Sequence, residues 1–278
     1  MSQTSNLVTN QWLKDRFEQP NVVVLYTQMD NPLTGETDNS PVAYIPNSLF
    51  FDFENVFCNM DANLPHTMPS ETSFTESARQ LGINQNSVIV IYDNKGIYCA
   101  PRVWWMFKSM GHQHVYILNG GLPNWLACNM PTEAELISPN KKGDFCAKFN
   151  KNYFLSADEI IQQLTNITLL DARSAGRFDG TQPEPRKGLR SGHVPTSINL
   201  PFQQCIQGTL LKSSSELNAI FSKYKLTANS SFVFSCGSGV TACILALAAS
   251  EAGYTTLAVY DGSWSEWGAR MDLPVELK

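Results

Sequence analysis

The chain lacks the features that define several large protein classes. It contains no apolar run of about 18 residues, and its first residues show no basic segment followed by an apolar one, so we expect neither a transmembrane helix nor a signal peptide. Its net charge of -5 at pH 7 disfavours nucleic acid as a main partner. We therefore expect a cytoplasmic protein with neither a nucleic acid nor a membrane as partner.

Metal-binding and disulfide patterns are missing as well. The chain has only four histidines and seven cysteines, an odd number without a C-x-x-C pair. This pattern argues against both a zinc site and a disulfide framework. We expect no metal, no cofactor, and reduced thiols that mostly serve as small core residues.

The chain instead contains one pattern written twice. Three pairs of segments correspond in order: 43–53 with 192–202, 87–105 with 231–249, and 115–125 with 257–267. In each half, short runs rich in Val, Ile and Phe alternate with helix-length stretches, which is typical of a parallel sheet covered on both faces. With 278 residues, 43% of them hydrophobic, the chain is long enough for two such units. We predict an α/β fold with two tandem domains.

The two copies differ in length at one place. The separation of matched residues is 149 for Pro46 and Pro195 but 143 for Asp93 and Cys236. The first half therefore holds six extra residues between its proline and its turn. We place them in the segment 55–69.

The domain boundaries follow from composition. The segment 136–152 lacks helical periodicity and is predicted to be a linker, so that the domains span 1–135 and 153–278. Ser156 and Glu159 have the spacing of a capping box. We expect them to open the first helix of the second domain.

Cys236 stands where a strand pattern changes into a helix pattern. Phe232, Val233 and Phe234 precede it, and a glycine-rich turn and then the small apolar run 241–249 follow it. Parallel sheets bind ligands beyond the carboxyl ends of their strands. A glycine-rich turn there can aim successive N–H groups at an anion, at the positive end of the next helix. We expect this environment to hold Cys236 as a nucleophilic thiolate.

Four segments carry a resemblance to a known family. CGSGVTA (236–242), SAGRFDGTQPEPRKGLRSGHVPTSINLPF (174–202), IYCAPRVWWMF (97–107) and YDGSWSEWGAR (260–270) resemble the 3-mercaptopyruvate sulfurtransferases, relatives of the rhodaneses. The resemblance covers nearly the whole chain. It implies two tandem rhodanese-like domains, each a mostly parallel sheet flanked by helices, the first catalytically inactive. Asp93 in place of cysteine fits this pattern, because a fixed anion cannot carry sulfur.

The resemblance also implies a reaction. The Cys236 thiolate would attack the sulfur of 3-mercaptopyruvate, release pyruvate and become a persulfide. A thiol or cyanide would then accept the sulfur, and thioredoxin is a candidate for the thiol.

Specific residues follow from the same resemblance. It implies Arg177 and Arg186 as ligands of the substrate carboxylate, although a loop arginine taken alone is more often a solvated surface residue. It places further substrate contacts in the turn and at the helix start: Gly237, Gly239, Val240 and Thr241. Arg173 and Arg190 are expected to be structural.

The resemblance further implies that residues from both halves act together in proton transfer. Ser238 lies in the turn, and the family places a histidine and a carboxylate of the first half beside this serine. His66, in the extra segment, matches the histidine. Glu54 matches the carboxylate, with Asp52 nearby as an alternative.

Three other functions compete with this interpretation. A thiosulfate sulfurtransferase is the nearest, but its turn typically carries basic residues where this chain has neutral Gly237 and Ser238. A phosphatase of this fold needs C-x5-R, and Ala242 occupies the arginine position. A non-catalytic thiol-based redox or binding module is the third alternative, and the presence of Arg177 and Arg186 argues against it.

Overall fold

Two parallel β-sheets organise the chain in the computed structural model, which describes residues 5–31, 34, 36, 43–224 and 231–277. The strands are β1 (Leu7–Val8), β2 (Val22–Thr27), β3 (Ser48–Phe50), β4 (Val88–Asp93), β5 (Val115–Leu118), β6 (Phe154–Leu155), β7 (Thr168–Asp171), β8 (Ile198–Asn199), β9 (Ile206–Gln207), β10 (Leu210–Leu211), β11 (Phe232–Ser235) and β12 (Leu257–Tyr260). The helices are α1 (Asn10–Lys14), α2 (Glu71–Gln80), α3 (Ala100–Ser109), α4 (Gly121–Ala127), α5 (Ala157–Gln163), α6 (Ala175–Phe178), α7 (Ser214–Ser222), α8 (Ala242–Glu251) and α9 (Ser263–Trp267). Single 3-10 turns occupy Lys151–Tyr153 and Phe202–Cys205.

The two sheets have the same topology. Their strand orders are β1-β5-β4-β2-β3 and β6-β12-β11-β7-β8, and every pairing within them is parallel. The equivalent strands β4 and β11 lie at the centre of their sheets and are almost wholly apolar, as strands buried on both faces must be. The predicted α/β fold with two tandem domains is confirmed.

Helices α3 and α8 join the two domains. The residues of α8 from Ala242 to Ala249 are all buried, because the helix packs both on its own sheet and on α3. A helix that is apolar on every side needs such burial. One hydrophobic cluster accordingly includes Trp104 of α3 and Leu245 of α8. The domains therefore share a continuous core, which fixes how their sheet ends face each other.

The segment predicted to be a linker packs tightly against the first domain. The side chain of Phe145 is fully buried, and its N–H donates to Ile83 O at 3.1 Å. The N–H of Gly143 donates to Arg79 O at 2.8 Å. The boundaries at 136 and 152 stay a prediction, and this stretch is firmly attached chain. The capping box of Ser156 and Glu159 at the start of α5 is confirmed.

The six extra residues of the first domain lie in the connection that was predicted to hold them. From β3 to α2 the chain runs through 51–70, and from β8 to α7 through 200–213, which is 20 residues against 14. Each connection reaches the other domain. The first brings Met68 N within 2.9 Å of Asp261 Oδ2, and the second brings Leu211 N within 2.9 Å of Asn119 Oδ1.

The described ranges contain neither a bilayer-spanning helix nor a cluster of metal-ligating side chains. Within them, no helix has the length and apolar character to cross a bilayer. No group of three or more His, Cys, Asp and Glu side chains there is arranged to hold a metal ion.

Candidate active site

Cys236 follows β11 at the carboxyl edge of the second sheet and is 1% exposed. Its N–H donates to Ser263 Oγ at 3.2 Å, and its carbonyl accepts the N–H of Trp264 at 3.0 Å. Ser265 Oγ donates to the carbonyl of Gly237 at 2.6 Å. The start of α9 thus holds the carbonyl groups of Cys236 and Gly237. The N–H groups of the turn are left for another acceptor.

The N–H groups of this turn are not used by the described residues. In the described part of the chain, the backbone N–H groups of residues 237–241 have no hydrogen-bond acceptor. Gly239 makes the turn possible, because it has φ +76° and a Cβ would lie 2.8 Å from Asp261 O. With the positive end of α8 behind it, the turn is suited to bind an anion.

The first domain contains the same turn in an occupied form. There the carboxylate of Asp93 accepts four backbone N–H groups at 2.8–3.0 Å, those of Lys95, Tyr98, Cys99 and Ala100. The side chain of Asp93 is fully buried. In the first domain the Asp93 carboxylate therefore fills the anion-binding position that is open beside Cys236.

The predicted contacts across the domains are present. His66 Nδ1 lies 3.1 Å from Ser238 Oγ, and His66 Nε2 lies 3.0 Å from Glu54 Oε1. Because an ionised Glu54 can only accept, it holds the proton on Nε2 and leaves Nδ1 to accept the Ser238 hydroxyl hydrogen. The other carboxylate oxygen of Glu54 accepts the N–H of Asp30 at 2.7 Å.

Glu54 is the carboxylate in contact with His66. Burial raises the pKa of Glu54, but the hydrogen bonds from His66 and the Asp30 N–H outweigh it and lower the pKa below 4.5. Asp52 instead accepts the N–H groups of Glu54 and Asn55 and so closes the turn after β3. The geometry favours Glu54 over the alternative, Asp52.

Arg102 and Asp261 form an ion pair that fixes the loop of His66, and we call it the Arg102–Asp261 clamp. Arg102 is fully buried and donates to Asp261 Oδ1 at 2.7 Å and to the carbonyl of His66 at 2.6 Å. Asp261 also accepts the N–H of Met68 at 2.9 Å. His66 has φ +59°, an unfavourable value for a non-glycine residue, so its loop needs this support.

The two predicted substrate arginines differ in their partners. Arg177 of α6 donates to both oxygens of Glu184, at 3.2 and 2.6 Å. Arg186 has no hydrogen bond or ion pair with any residue in the described ranges. Burial lowers the pKa of Arg186, and the charge of Arg177 adds to this effect, which the charge of Cys236 opposes. A half-buried cation without a partner is a site for an anionic ligand.

A cavity of about 160 Å³ brings most of the predicted residues together, and we call it the Cys236 cavity. Its wall includes seven of the ten predicted site residues: Arg177, Arg186, Cys236, Gly237, Ser238, Val240 and Thr241. Gly239 shapes the turn from behind. His66 and Glu54 lie behind Ser238 and do not reach the wall.

Other residues escaped the sequence analysis. Tyr98 lines the cavity from the first domain, and Glu184 holds Arg177 in place. The clamp of Arg102 and Asp261 was also missed, although both residues lie in segments that carried the family resemblance. The available signal was a basic residue in 97–107 of the first copy and an acidic residue in 260–270 of the second, both within segments that carry the resemblance.

Two arginines make extensive contacts within the protein, and the structural role expected for them stays a prediction. Arg173 is ion-paired with Asp171 and Glu184. Arg190 donates to four backbone carbonyls, those of Trp267, Gly268, Arg270 and Leu273. Both stabilise the loop that carries Arg177 and Arg186.

Fold and site define a two-domain α/β protein whose second domain carries a cysteine in an anion-binding turn. The Rhodanese-like domain family matches residues 9–128 and 156–270, and the chain belongs to that family. It is 35% identical to a 3-mercaptopyruvate sulfurtransferase of Escherichia coli strain K12, over 98% of each chain. It is 36% identical to a mitochondrial thiosulfate/3-mercaptopyruvate sulfurtransferase of Arabidopsis thaliana, over 99% of this chain and 79% of the relative.

A solved structure of the same family has a similar fold. The crystal structure of SseA from Escherichia coli, reported for the fold and mechanism of 3-mercaptopyruvate sulfotransferases, superimposes with a TM-score of 0.84. The sequence identity is 30%, and the match covers 94% of this chain and 99% of that one.

Proposed function

We propose that the protein transfers sulfur from 3-mercaptopyruvate to a thiol or cyanide through a persulfide on Cys236, releasing pyruvate. The observation that carries the proposal is the Cys236 cavity, where a cysteine, unused N–H groups and the unpartnered Arg186 converge. The names of the relatives support the donor. The N–H groups suit a thiolate and a persulfide alike, since both are anions.

Donor binding begins at the carboxylate. Arg186 pairs with it, and Arg177 adds the Nη1 group that Glu184 does not engage. Charge-assisted, bidentate contacts of this kind fix both position and orientation. They hold the donor sulfur above the Cys236 thiolate.

Sulfur transfer then needs one proton to move. The thiolate of Cys236 forms a bond to the donor sulfur while the carbon–sulfur bond breaks, and its electron pair forms the enolate of pyruvate. The thiol proton of the donor passes through Ser238 to the enolate carbon. His66, oriented by Glu54, accepts the Ser238 hydrogen bond and so assists this passage.

The test compares two reactions of the wild-type protein. Pyruvate release from 3-mercaptopyruvate with a thiol should exceed thiocyanate formation from thiosulfate with cyanide. Cys236→Ser should abolish both, while Cys243→Ser, which changes a buried thiol of α8 seven residues further on, should retain turnover. Mass spectrometry without acceptor should show roughly 32 Da added to Cys236. Faster turnover of thiosulfate would favour the rhodanese alternative, and activity in Cys236→Ser would refute the mechanism.

The acceptor and the compartment are further proposals. We infer a thiol acceptor, with thioredoxin as a candidate, because a persulfide is discharged by attack of a thiolate. We propose the cytoplasm, since all seven cysteines are free thiols. Subcellular fractionation would test the location.

A further inference from the structure

The wall of the Cys236 cavity and the side chains behind it carry an uneven number of charges. Three cations lie in the wall: Arg173, Arg177 and Arg186. Two carboxylates pair with these cations from behind the wall: Asp171 and Glu184. The arginine side of the cavity therefore has a surplus of one positive charge, three cations against two anions.

Arg173 is neutralised by a partner of its own. Its Nε and Nη2 groups donate to Asp171 Oδ2 at 2.9 and 2.6 Å, and both side chains are almost fully buried. This pair leaves Arg177 and Arg186 as the two cations whose charge a ligand would meet. The other carboxylate, Glu184, sets how much of that charge is offset.

Glu184 pairs with Arg177 directly behind the cavity wall. Its Oε2 accepts Arg177 Nη2 at 2.6 Å, and its Oε1 accepts Arg177 Nε at 3.2 Å and Arg173 Nη1 at 2.9 Å. The Glu184 side chain is 2% exposed, so water screens its charge only weakly. Its charge also reaches Arg186, because burial lowers the pKa of Arg186 while the charges of Cys236 and Glu184 oppose that effect.

The two candidate donors differ by one negative charge. 3-Mercaptopyruvate carries a carboxylate and a neutral thiol, whereas thiosulfate is a dianion. A surplus of one positive charge balances the first donor, since Arg186 has no ion pair with any of the described residues. The second negative charge of thiosulfate would enter the cavity beside the Cys236 thiolate without a counter-charge, which costs free energy.

We propose that Glu184 is a specificity-determining residue, whose buried carboxylate limits the positive charge of the cavity and so favours a singly charged donor over a doubly charged one. The inference rests on the sulfur-transfer function proposed above. Glu184 is absent from the cavity wall, so it acts on the donor through the charge of the arginines that it pairs with.

The experiment separates the charge of Glu184 from its shape. Glu184→Gln removes the charge and keeps the length of the side chain, whereas Glu184→Asp keeps the charge and shortens the side chain. For each variant, kcat/KM is measured with 3-mercaptopyruvate and with thiosulfate, using cyanide as the acceptor for both. Inhibition constants are measured for methanesulfonate and sulfate, which have nearly the same shape but carry one and two negative charges.

Asp179→Asn is the matched control for the loss of a negative charge. Asp179 follows α6, two residues after Arg177, and its side chain lies in the wall of a different cavity. The variant therefore removes the same charge from the same loop without removing a partner of the arginines.

We expect Glu184→Gln to raise the ratio of kcat/KM for thiosulfate over 3-mercaptopyruvate by about 5- to 10-fold, the effect of one unit charge near a partly solvated ligand. The inhibition constant of sulfate should fall by a similar factor relative to that of methanesulfonate. Glu184→Asp should lower kcat/KM for both donors alike, with the ratio within about 2-fold of wild type. Asp179→Asn should leave the ratio unchanged.

The wild-type protein provides a test that does not depend on a variant that folds. Sulfate should bind no more tightly than methanesulfonate, because the surplus charge is already balanced by one negative charge. Sulfate binding tighter by more than about 10-fold would show that the cavity favours a dianion and would overturn the proposal.

The variants can overturn the proposal in three further ways. An unchanged donor ratio in Glu184→Gln would show that Glu184 only holds the arginines in place. The same change of ratio in Glu184→Asp would make geometry the cause, and the same change in Asp179→Asn would make it a general effect of charge. Absence of turnover of both donors by the wild type would instead refute the proposed function beneath this inference.

Discussion

Cys236 and Asp93 occupy equivalent positions at the ends of β11 and β4, yet they use the same backbone differently. Asp93 takes four N–H groups for itself, whereas the turn after Cys236 keeps its N–H groups free of acceptors among the described residues. A carboxylate reaches those N–H groups from the strand end, and a thiolate with one fewer acceptor atom leaves room for an added sulfur. The residue at this position, Asp93 or Cys236, thus determines whether the turn is structural or suited to react.

The arginines provide a prediction at this scale. Arg186→Ala should lower kcat/KM for 3-mercaptopyruvate by roughly 30- to 150-fold, about 2–3 kcal/mol, because it removes a charge-assisted contact that no other residue replaces. Arg177→Ala should lose less, since Glu184 already engages much of its guanidinium. Arg177→Lys should also be impaired, because an ammonium lacks the bidentate geometry.

Lys187→Ala is the control for this pair, since the neighbouring residue has the same charge and is exposed. Steady-state kinetics of pyruvate release measure the effect. Wild-type kinetics in both alanine variants would return the two arginines to the role of solvated loop residues.

Glu54 predicts a pH dependence of stability. Its folded-state pKa lies below the ordinary value of 4.5, so ionisation favours the folded protein. That contribution is complete above pH 4.5 and is lost as the pH falls through the lowered pKa. Glu54→Gln should therefore reduce the free energy of unfolding by about 1 kcal/mol near neutral pH and by less at an acidic pH below the lowered pKa.

Urea unfolding at the two pH values measures this difference. Glu76→Gln on the exposed face of α2 should show no change between them. A loss in Glu54→Gln that is the same at both pH values would show that the carboxylate charge is irrelevant to the contact.

At the scale of elements, the sequence predicted features that depend on local patterns and missed those that depend on contacts between distant residues. The junction of strand, turn and helix at Cys236 was predictable because apolar runs and glycines report backbone geometry directly. The six extra residues were predictable because two copies of one fold can be compared with each other. The capping box of α5 was predictable because its two residues are three apart.

The remaining features depend on residues that are far apart in the chain. Arg102 and Asp261 are separated by 159 positions, and nothing local in either segment requires the ion pair between them. The contact of the β9–β10 hairpin with Gly96 joins the domains in a similar way. Such contacts depend on how the domains pack, and packing is set by the shared core of α3 and α8 as a whole.

The equivalence of the two turns supports a prediction about β4 and α3. Asp93→Cys in a Cys236→Ser background should form no persulfide with 3-mercaptopyruvate, because the segment 28–42, which corresponds in sequence to the loop of Arg177 and Arg186, contains no arginine. It should also lower stability by about 2–4 kcal/mol, since buried N–H groups lose a charged acceptor. Mass spectrometry and urea unfolding measure the two effects.

Asp93→Asn is the matched control, because its side-chain oxygen keeps part of the hydrogen bonding. It should be destabilised less than Asp93→Cys. Sulfur added at position 93 would contradict the inactive role of the first domain.

At the scale of the whole molecule, the proposed reactive centre at Cys236 is one that neither domain could build alone. Ser238 belongs to the second domain, and His66 belongs to the connection that the first domain extends towards it. The Arg102–Asp261 clamp and the core between α3 and α8 hold these parts in register. In the opposite direction, the β9–β10 hairpin of the second domain packs on the turn after Asp93, where a Cβ on Gly96 would lie 2.7 Å from Thr209 Cβ. Each domain therefore supplies a wall for its neighbour's turn.

This shared construction leads to a prediction about donor choice. 3-Mercaptopyruvate has a protonated thiol and a poor carbon leaving group, so its reaction depends on moving a proton through Ser238 and His66. Thiosulfate departs as sulfite and needs no such proton. Ser238→Ala and His66→Ala should each reduce turnover of 3-mercaptopyruvate on the order of 100-fold and turnover of thiosulfate much less.

The double variant should be little worse than the worse single variant, because the two groups act as a unit. His114→Ala, an exposed histidine of the first domain, should leave both reactions unchanged. Equal losses with both donors, or fully additive losses, would make the contact between His66 and Ser238 structural, and the domains would then share a surface without sharing a proton path.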